Sequence, residues 1–261
     1  MSDTPLVHLE DIVLQFGQNT VLDGIHLKVF SGDRLVILGQ SGGGKSTMLR
    51  LILGILKPTS GRVRYRHLEV QKLSRSRLNT LRRRIGMVYQ YSALISSMTV
   101  RENLALPVEE SGRKSRREID ELIKENLENV GMSGTEDKLP SELSGGMRKR
   151  VSLARALMMQ PELILFDEPS AGLDPIISSV IDELIIGLTE KTNTTSVIVT
   201  HEMESAFKVA TRMAMLYQGK IIEYGFPDQF RTSSNPVVRQ FVTGTTEGPI
   251  TETPPNADPP Q

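Results

Sequence analysis

No cysteine occurs in the 261 residues, which excludes a disulfide framework, thiol catalysis and any cysteine-ligated zinc or iron–sulfur centre. An excess of charge is missing too, since Lys plus Arg and Asp plus Glu number 31 each. The molecule as a whole therefore has no net field to draw it to nucleic acid or an anionic bilayer, and any such attraction must be local. Long apolar runs are absent as well. The strongest, Leu51-Ile52-Leu53-Gly54-Ile55-Leu56, falls far short of the ~20 residues a membrane helix requires. Met1-Ser2-Asp3-Thr4-Pro5 lacks the basic segment and apolar core of a secretory signal, so the cytosol is the expected compartment. No internal repeat is found. What remains is an ordinary globular composition, 38% hydrophobic and 24% charged, in a chain long enough for one large domain with or without a smaller lobe.

Apolar and polar positions alternate through Val7, Leu9, Ile12, Leu14 and Phe16, then Val21, Leu22, Ile25, Leu27 and Val29. With turns at Gly17-Gln18-Asn19 and Asp23-Gly24, this stretch reads as short antiparallel strands. Arg34 to Leu38 is an apolar strand leading into a glycine loop, and Lys45 to Leu56 has helical character. From Val100 to Val130 the spacing of Leu104, Leu106, Ile119, Leu122, Ile123, Leu127 and Val130 is that of amphipathic helices. Strands and helices then alternate through 162–166, 179–189, 196–200 and 204–209, the pattern of a mainly parallel sheet wrapped by helices. Met213–Leu216 and Lys220–Glu223 close that sheet. Beyond Gly248 the composition turns to Pro, Thr, Asn and Asp, and residues 248–261 read as a disordered tail.

Gly39-Gln40-Ser41-Gly42-Gly43-Gly44-Lys45-Ser46-Thr47 fits the phosphate-loop pattern in full, and it lies between a strand and a helix as that motif requires. Its glycines let successive N–H groups turn toward phosphate oxygens. Lys45 is expected to bridge the β- and γ-phosphates of a nucleotide, and the Ser46 hydroxyl to hold Mg²⁺. Leu163-Ile164-Leu165-Phe166-Asp167-Glu168 ends an apolar strand in two carboxylates. Asp167 is a direct or indirect Mg²⁺ partner on this reading, and Glu168 is placed to polarise an attacking water. Gln90 follows the strand 85–90 with an amide able to reach metal and water, and His201 ends the strand 197–200 with an imidazole suited to the γ-phosphate. Phe16 is either an adenine-stacking ring or a core aromatic. Between the two flanks lies Leu143-Ser144-Gly145-Gly146-Met147, a serine-capped start to the helical segment 147–159. A second anion-binding helix start has no phosphate left to hold in its own chain. Two chains facing head to tail, each closing the other's ATP with Ser144, Gly145 and Gly146, resolve that.

With these motifs in this order, the chain resembles the ATP-binding-cassette (ABC) family from Leu6 to about Phe230. The resemblance implies an α/β phosphate-loop domain over residues 1–247, with a mainly parallel core sheet, an N-terminal antiparallel β subdomain and a helical insertion at about 91–158. It further implies ATP-driven homodimer closure, hydrolysis with Glu168 as base, and communication between paired sites through Asp174 of Ala171-Gly172-Leu173-Asp174. The commonest family form carries Gln where this chain has Met147, a difference that leaves the backbone contacts untouched.

Gln90-Tyr91-Ser92-Ala93-Leu94 and Thr99 to Leu104 resemble the cassette surface that receives a membrane subunit. Gln90 to Leu94, Met147 followed by Arg148-Lys149-Arg150, and Asn235 to Phe241 with Gly248-Pro249 resemble the ATPase subunit of Mla-type phospholipid transporters. That implies a permease, a periplasmic MCE-domain protein, in many systems a STAS-domain partner, and a peripheral place at the cytoplasmic face of a bacterial inner membrane, with no nucleic acid bound. The form Ala171-Gly172-Leu173-Asp174 departs from many Mla-type sequences. Two alternatives stay open: an importer ATPase for a polar solute such as an amino acid, and a soluble non-transport ATPase. The basic runs at Arg75, Arg77, Arg82, Arg83 and Arg84 and at 113–117 read as solvated helix faces, with anionic lipid headgroups as the alternative, and are assigned no site.

Overall fold

The structure, a computed structural model, describes residues 4–112 and 114–252. Residues 1–3 of the N-terminal reading, Arg113 of the second basic run and residues 253–261 of the expected tail lie outside the described residues. In chain order the elements are β1 (Val7–Phe16), β2 (Asn19–Val29), β3 (Arg34–Leu38), α1 (Lys45–Ile52), β4 (Ser60–Tyr65), β5 (Leu68–Glu69), α2 (Arg75–Arg82), β6 (Ile85–Val88), α3 (Val100–Glu109), α4 (Arg116–Asn129), α5 (Gly145–Leu157), β7 (Leu163–Asp167), α6 (Pro175–Thr192), β8 (Thr195–Thr200), α7 (Met203–Val209), β9 (Arg212–Tyr217), β10 (Lys220–Gly225), α8 (Pro227–Arg231), α9 (Pro236–Thr243) and α10 (Pro249–Glu252). They fall into two compact units, Met1–Leu73 with Val199–Gln261, and Ser74–Ile198.

In the first unit, an antiparallel sheet has the order β2-β1-β4-β5. Val7, Leu9, Ile12 and Leu14 of β1 are buried, as the alternation demands. The expected turn at Asp23-Gly24 is not one. β2 runs straight through it, and the register slips instead, with Ile12 opposite Ile25 but Leu14 opposite Leu22. One extra residue on β2 makes a bulge, which bends a strand without ending it. The sequence reading also misses β4, where Val63 and Tyr65 are buried but alternate with arginines. Two inward residues are too few to register as a pattern.

The first unit also holds the strands ordered β10-β9-β3, with β3 parallel to β9 and β9 antiparallel to β10. Leu35, Val36, Ile37 and Leu38 are all fully buried, the continuous apolar run of a strand covered on both faces. Pro249–Glu252 forms a helical turn where the composition suggests unstructured chain. The reason is Gln240, whose Oε1 accepts from Ile250 N at 2.8 Å while its Nε2 donates to Thr245 O and Thr251 Oγ1, both at 3.3 Å.

In the second unit the order is β8-β7-β6, and β6 runs parallel to β7. α3 and α4 are the helices that the apolar spacing from Val100 to Val130 predicts, and α5 is the serine-capped helix expected at 147–159. Thr99 with Glu102, and Ser115 with Glu118, cap α3 and α4 reciprocally. Those bonds from Ser115 pull the Glu118 carboxyl below its usual pKa. Asn103, 1% exposed, donates to the carbonyls of Ile95, Met98 and Thr99 and accepts from Ile95 N at 2.8 Å. It fixes the loop ahead of α3. No helix among the described residues is long and apolar enough to cross a membrane.

Candidate nucleotide-binding and catalytic site

In the first unit, β3 delivers the chain into the glycine loop at its carboxyl end, and α1 starts at Lys45. Gly39 has φ +155, and a Cβ there would press into the main-chain carbonyl of Leu216. Only glycine fits at the mouth of the loop. Gln40, Ser41 and Gly42 form its exposed rim, Gly43, Ser46 and Thr47 are half-buried, and Gly44 and Lys45 are buried. The Lys45 ammonium donates to the carbonyls of Gly39 at 2.7 Å and Gln40 at 2.9 Å. The loop thus wraps the charge that a phosphate would meet. Gly44 caps α1 without a side chain, so the first-turn N–H groups face outward toward an anion. Phe16 is 52% exposed at the hairpin end, which rules against the core alternative. His201 is exposed just past the carboxyl end of β8.

In the second unit, Val88 pairs with Phe166, so Gln90 and the Asp167-Glu168 pair leave the same edge of adjacent parallel strands. Glu168 is 8% exposed and has φ +48, a left-handed backbone that non-glycine residues seldom adopt. The turn after β6 is bent in the same way, with Ser92 at φ +59 and Ala93 at φ +50. Three side chains of α5 reach these carbonyls. Lys149 Nζ donates to Gln90 O and, at 3.3 Å, to Glu168 O. Ser152 Oγ donates to Ser92 O at 2.9 Å, and Arg155 donates to Ser92 O at 3.1 Å and Ala93 O at 2.7 Å. Burial pulls the Arg155 pKa below the ordinary arginine value.

α5 opens with Ser144, whose Oγ accepts from Met147 N at 3.3 Å. The two glycines that follow differ in what surrounds them. A Cβ at Gly146 would stand 2.6 Å from Ile177 Cγ2, whereas one at Gly145 would meet only Leu173 Cδ2 at 3.6 Å. Gly146 therefore seats α5 against the start of α6, and Gly145 leaves its backbone open. Asp174 Oδ1 accepts from Ile176 N at 3.1 Å and Ile177 N at 3.0 Å, so this carboxylate caps α6. Sequence reasoning names Lys149 only within the Mla-type resemblance and overlooks Ser152 and Arg155. Their spacing of three is the signal available, polar residues recurring on one face of a helix whose other buried members are mostly apolar.

A lysine-closed glycine loop before a helix, with parallel strands that end in amide and carboxylates, defines a phosphate-loop nucleotide-binding protein. Comparison with known proteins narrows the class. The sequence pattern described as ABC transporter matches residues 22–171. The chain is 39% identical over 262 residues to Protein TRIGALACTOSYLDIACYLGLYCEROL 3, chloroplastic, of Arabidopsis thaliana, covering 94% of this chain and 75% of that one. It is 37% identical to the Intermembrane phospholipid transport system ATP-binding protein MlaF of Escherichia coli K12, covering 94% and 91%. The Probable ribonucleotide transport ATP-binding protein mkl of Mycobacterium leprae is 36% identical, covering 94% and 70%. Among solved structures, the dimeric post-hydrolysis state of the ATP-binding cassette MJ0796 bound to ADP and Pi superposes with TM-score 0.77 at 32% identity, covering 85% and 98%. The chain belongs to the ABC transporter family. It is the ATP-binding, ATP-hydrolysing subunit of a transport system, built on the α/β cassette fold.

Proposed function

We propose that this ATPase powers phospholipid movement through a separate membrane permease. The observation that carries the reading is the 37% identity to MlaF across 91% of that protein's length, a likeness that extends well beyond the family match at residues 22–171. MCE-domain and STAS-domain proteins are the further partners, and the chain sits peripherally on the cytoplasmic face of the inner membrane. The name of mkl supports a second reading, transport of a polar solute such as a ribonucleotide. Purification of the chain with its native membrane partners separates the two. Bound phospholipid, with ATP-dependent transfer of a fluorescent phospholipid between vesicles, is the expected result. A co-purified solute-binding protein, with turnover stimulated by ribonucleotide and not by lipid, would overturn it.

In the proposed cycle Phe16 stacks on adenine, residues 39–47 hold the phosphates and Lys45 spans the β- and γ-phosphates. Ser46, Gln90 and Asp167 would hold Mg²⁺ through their side-chain oxygens, a hard donor set that suits this ion, and the ion would supply neutralisation of phosphate charge. A second copy presents Ser144, Gly145 and Gly146 to the same ATP, and Asp174 reports between the paired sites. Glu168 takes a proton from the attacking water as oxygen bonds to the γ-phosphorus and the bond to ADP breaks, with Gln90 and His201 orienting the water and γ-phosphate. Glu168→Gln is expected to trap an ATP-bound dimer with little turnover. Gel filtration with Mg·ATP checks this, and a persistent monomer would refute the scheme.

A further inference from the structure

The side chains along one face of α5 do more than fill space beneath the Ser144-Gly145-Gly146 turn. Lys149, Ser152 and Arg155 are spaced three apart, and each donates to main-chain carbonyls of the turn that follows β6: Gln90 from Lys149, Ser92 from Ser152 and Arg155, Ala93 from Arg155. Lys149 alone also reaches across to the Glu168 carbonyl, at 3.3 Å. Lys149 is buried, 6% exposed as a residue, and a buried charge persists only where oxygens surround it. The two carbonyls it joins lie 59 and 19 residues away in sequence. Both belong to segments whose backbones enter the left-handed region at non-glycine residues, Ser92 and Ala93 in one and Glu168 in the other. Such backbones hold only where the surroundings over-determine them.

We propose that Lys149 is a positioning residue for hydrolysis: its ammonium ties the main chain of Glu168 to that of Gln90, so that the base moves with the turn 90–93 and with α5 as one body. A displacement of the turn then reaches Glu168 through this cation, and reaches the Ser144 end of the helix through α5 itself. Without that cation the tie between the Glu168 and Gln90 carbonyls is lost, and the carboxylate loses its aim while ATP binding at residues 39–47 persists. The inference rests on the proposed role of Glu168 as base.

The test compares Lys149→Met and Lys149→Arg in the full chain with Glu168→Gln measured alongside. Affinity for a fluorescent ATP analogue reports binding, kcat reports the hydrolytic step, and thermal melting reports folding. Lys149→Met is expected to lower kcat about tenfold or more with analogue affinity within about twofold of the native chain, and Lys149→Arg to recover most of the loss. A folded Lys149→Met with kcat within about twofold of native overturns the proposal, as does a matched loss of kcat and affinity, the mark of general loosening. Should Lys149→Met fail to fold, Lys149→Gln takes its place. Its amide keeps a donor for one carbonyl and is expected to give an intermediate kcat at unchanged affinity, and a native kcat overturns the proposal. If Glu168→Gln itself turns over like the native chain, the base assignment fails, a result separable from the Lys149 comparison.

Discussion

Gly145 and Gly146 are adjacent and chemically identical, yet their surroundings give alanine opposite consequences at the two positions. At Gly146 a new Cβ would lie 2.6 Å from Ile177 Cγ2. That methyl is attached at the branched Cβ, so it cannot swing aside without a change of χ1 or of the helix itself. Overpacking of this kind costs about 1–3 kcal/mol. At Gly145 the nearest atom stands at 3.6 Å, ordinary contact with no penalty. Both substitutions share the gain of about 0.4–1 kcal/mol from a stiffer unfolded chain. The difference between Gly145→Ala and Gly146→Ala therefore isolates the clash, and at about 2–4 °C per kcal/mol it separates the two melting temperatures by about 2–12 °C. Calorimetry on the two variants measures it directly. Adding Ile177→Ala to Gly146→Ala removes the obstructing methyl, and a favourable coupling of about 1–2 kcal/mol is expected in the double-mutant cycle. Gly145→Ala should instead fold normally and lose ATPase activity, because the added methyl sits on the backbone proposed to meet the phosphates of the partner's ATP. Equal melting temperatures for the two alanine variants, or zero coupling with Ile177, would refute the distinction.

Two further expectations rest on single side chains. Asp174→Ala removes the cap that accepts from Ile176 and Ile177 and should cost about 0.5–2 kcal/mol, whereas Asp174→Asn retains an acceptor oxygen and most of that stability. A residual ATPase defect in the folded Asn variant then reports on the carboxylate charge, and chemical denaturation with turnover assays reads both effects. Burial pushes the His8 imidazole below the ordinary histidine pKa of about 6.5, against the opposing pull of Glu10. The unfolded chain therefore binds the proton more readily, and the contribution of neutral His8 is complete above about pH 6.5 and lost as pH falls through the lowered value. Melting curves from about pH 8 to 5 should show a shallower decline for His8→Gln than for the native chain.

The parts of the site legible in the sequence are those where backbone geometry forces the residue type. Gly39 faces the Leu216 carbonyl and Gly146 faces Ile177, so glycine marks both positions whatever else changes. Strand ends are legible for a similar reason. Leu163 to Phe166 is buried on both faces, which leaves a carboxylate no place but the edge where Asp167 and Glu168 emerge. The hairpin detail is less legible because Asp23-Gly24 serves a turn and a bulge equally well, and only pairing with β1 decides between them. β4 escapes because its alternation is two residues deep, and the turn at 249–252 escapes because its stability comes from Gln240, a residue of α9.

Backbone strain is the feature that sequence hides most completely, and in the second unit it sorts into two kinds. Gln160 and Asn193 have positive φ at the ends of helices: Asn193 is the left-handed cap of α6, and Gln160 N returns to Leu157 O. Helix closure by main-chain bonds suffices to hold them. Ser92, Ala93 and Glu168 have positive φ without a helix to close. In each of those three the carbonyl accepts from a side chain of α5, Ser152 and Arg155 for Ser92, Arg155 for Ala93 and Lys149 for Glu168, and the Glu168 carbonyl also accepts from Ala171 N at 3.3 Å. A structural turn can settle into an ordinary conformation, and nothing in its own sequence requires three donors from one helix to prevent it. The donors hold the turn after β6 and the residue after β7 in unfavourable shapes at the two places where Gln90 and Glu168 meet the proposed water and phosphate. Their removal one at a time should then relax each segment separately, Ser152 and Arg155 acting on the turn and Lys149 acting on both.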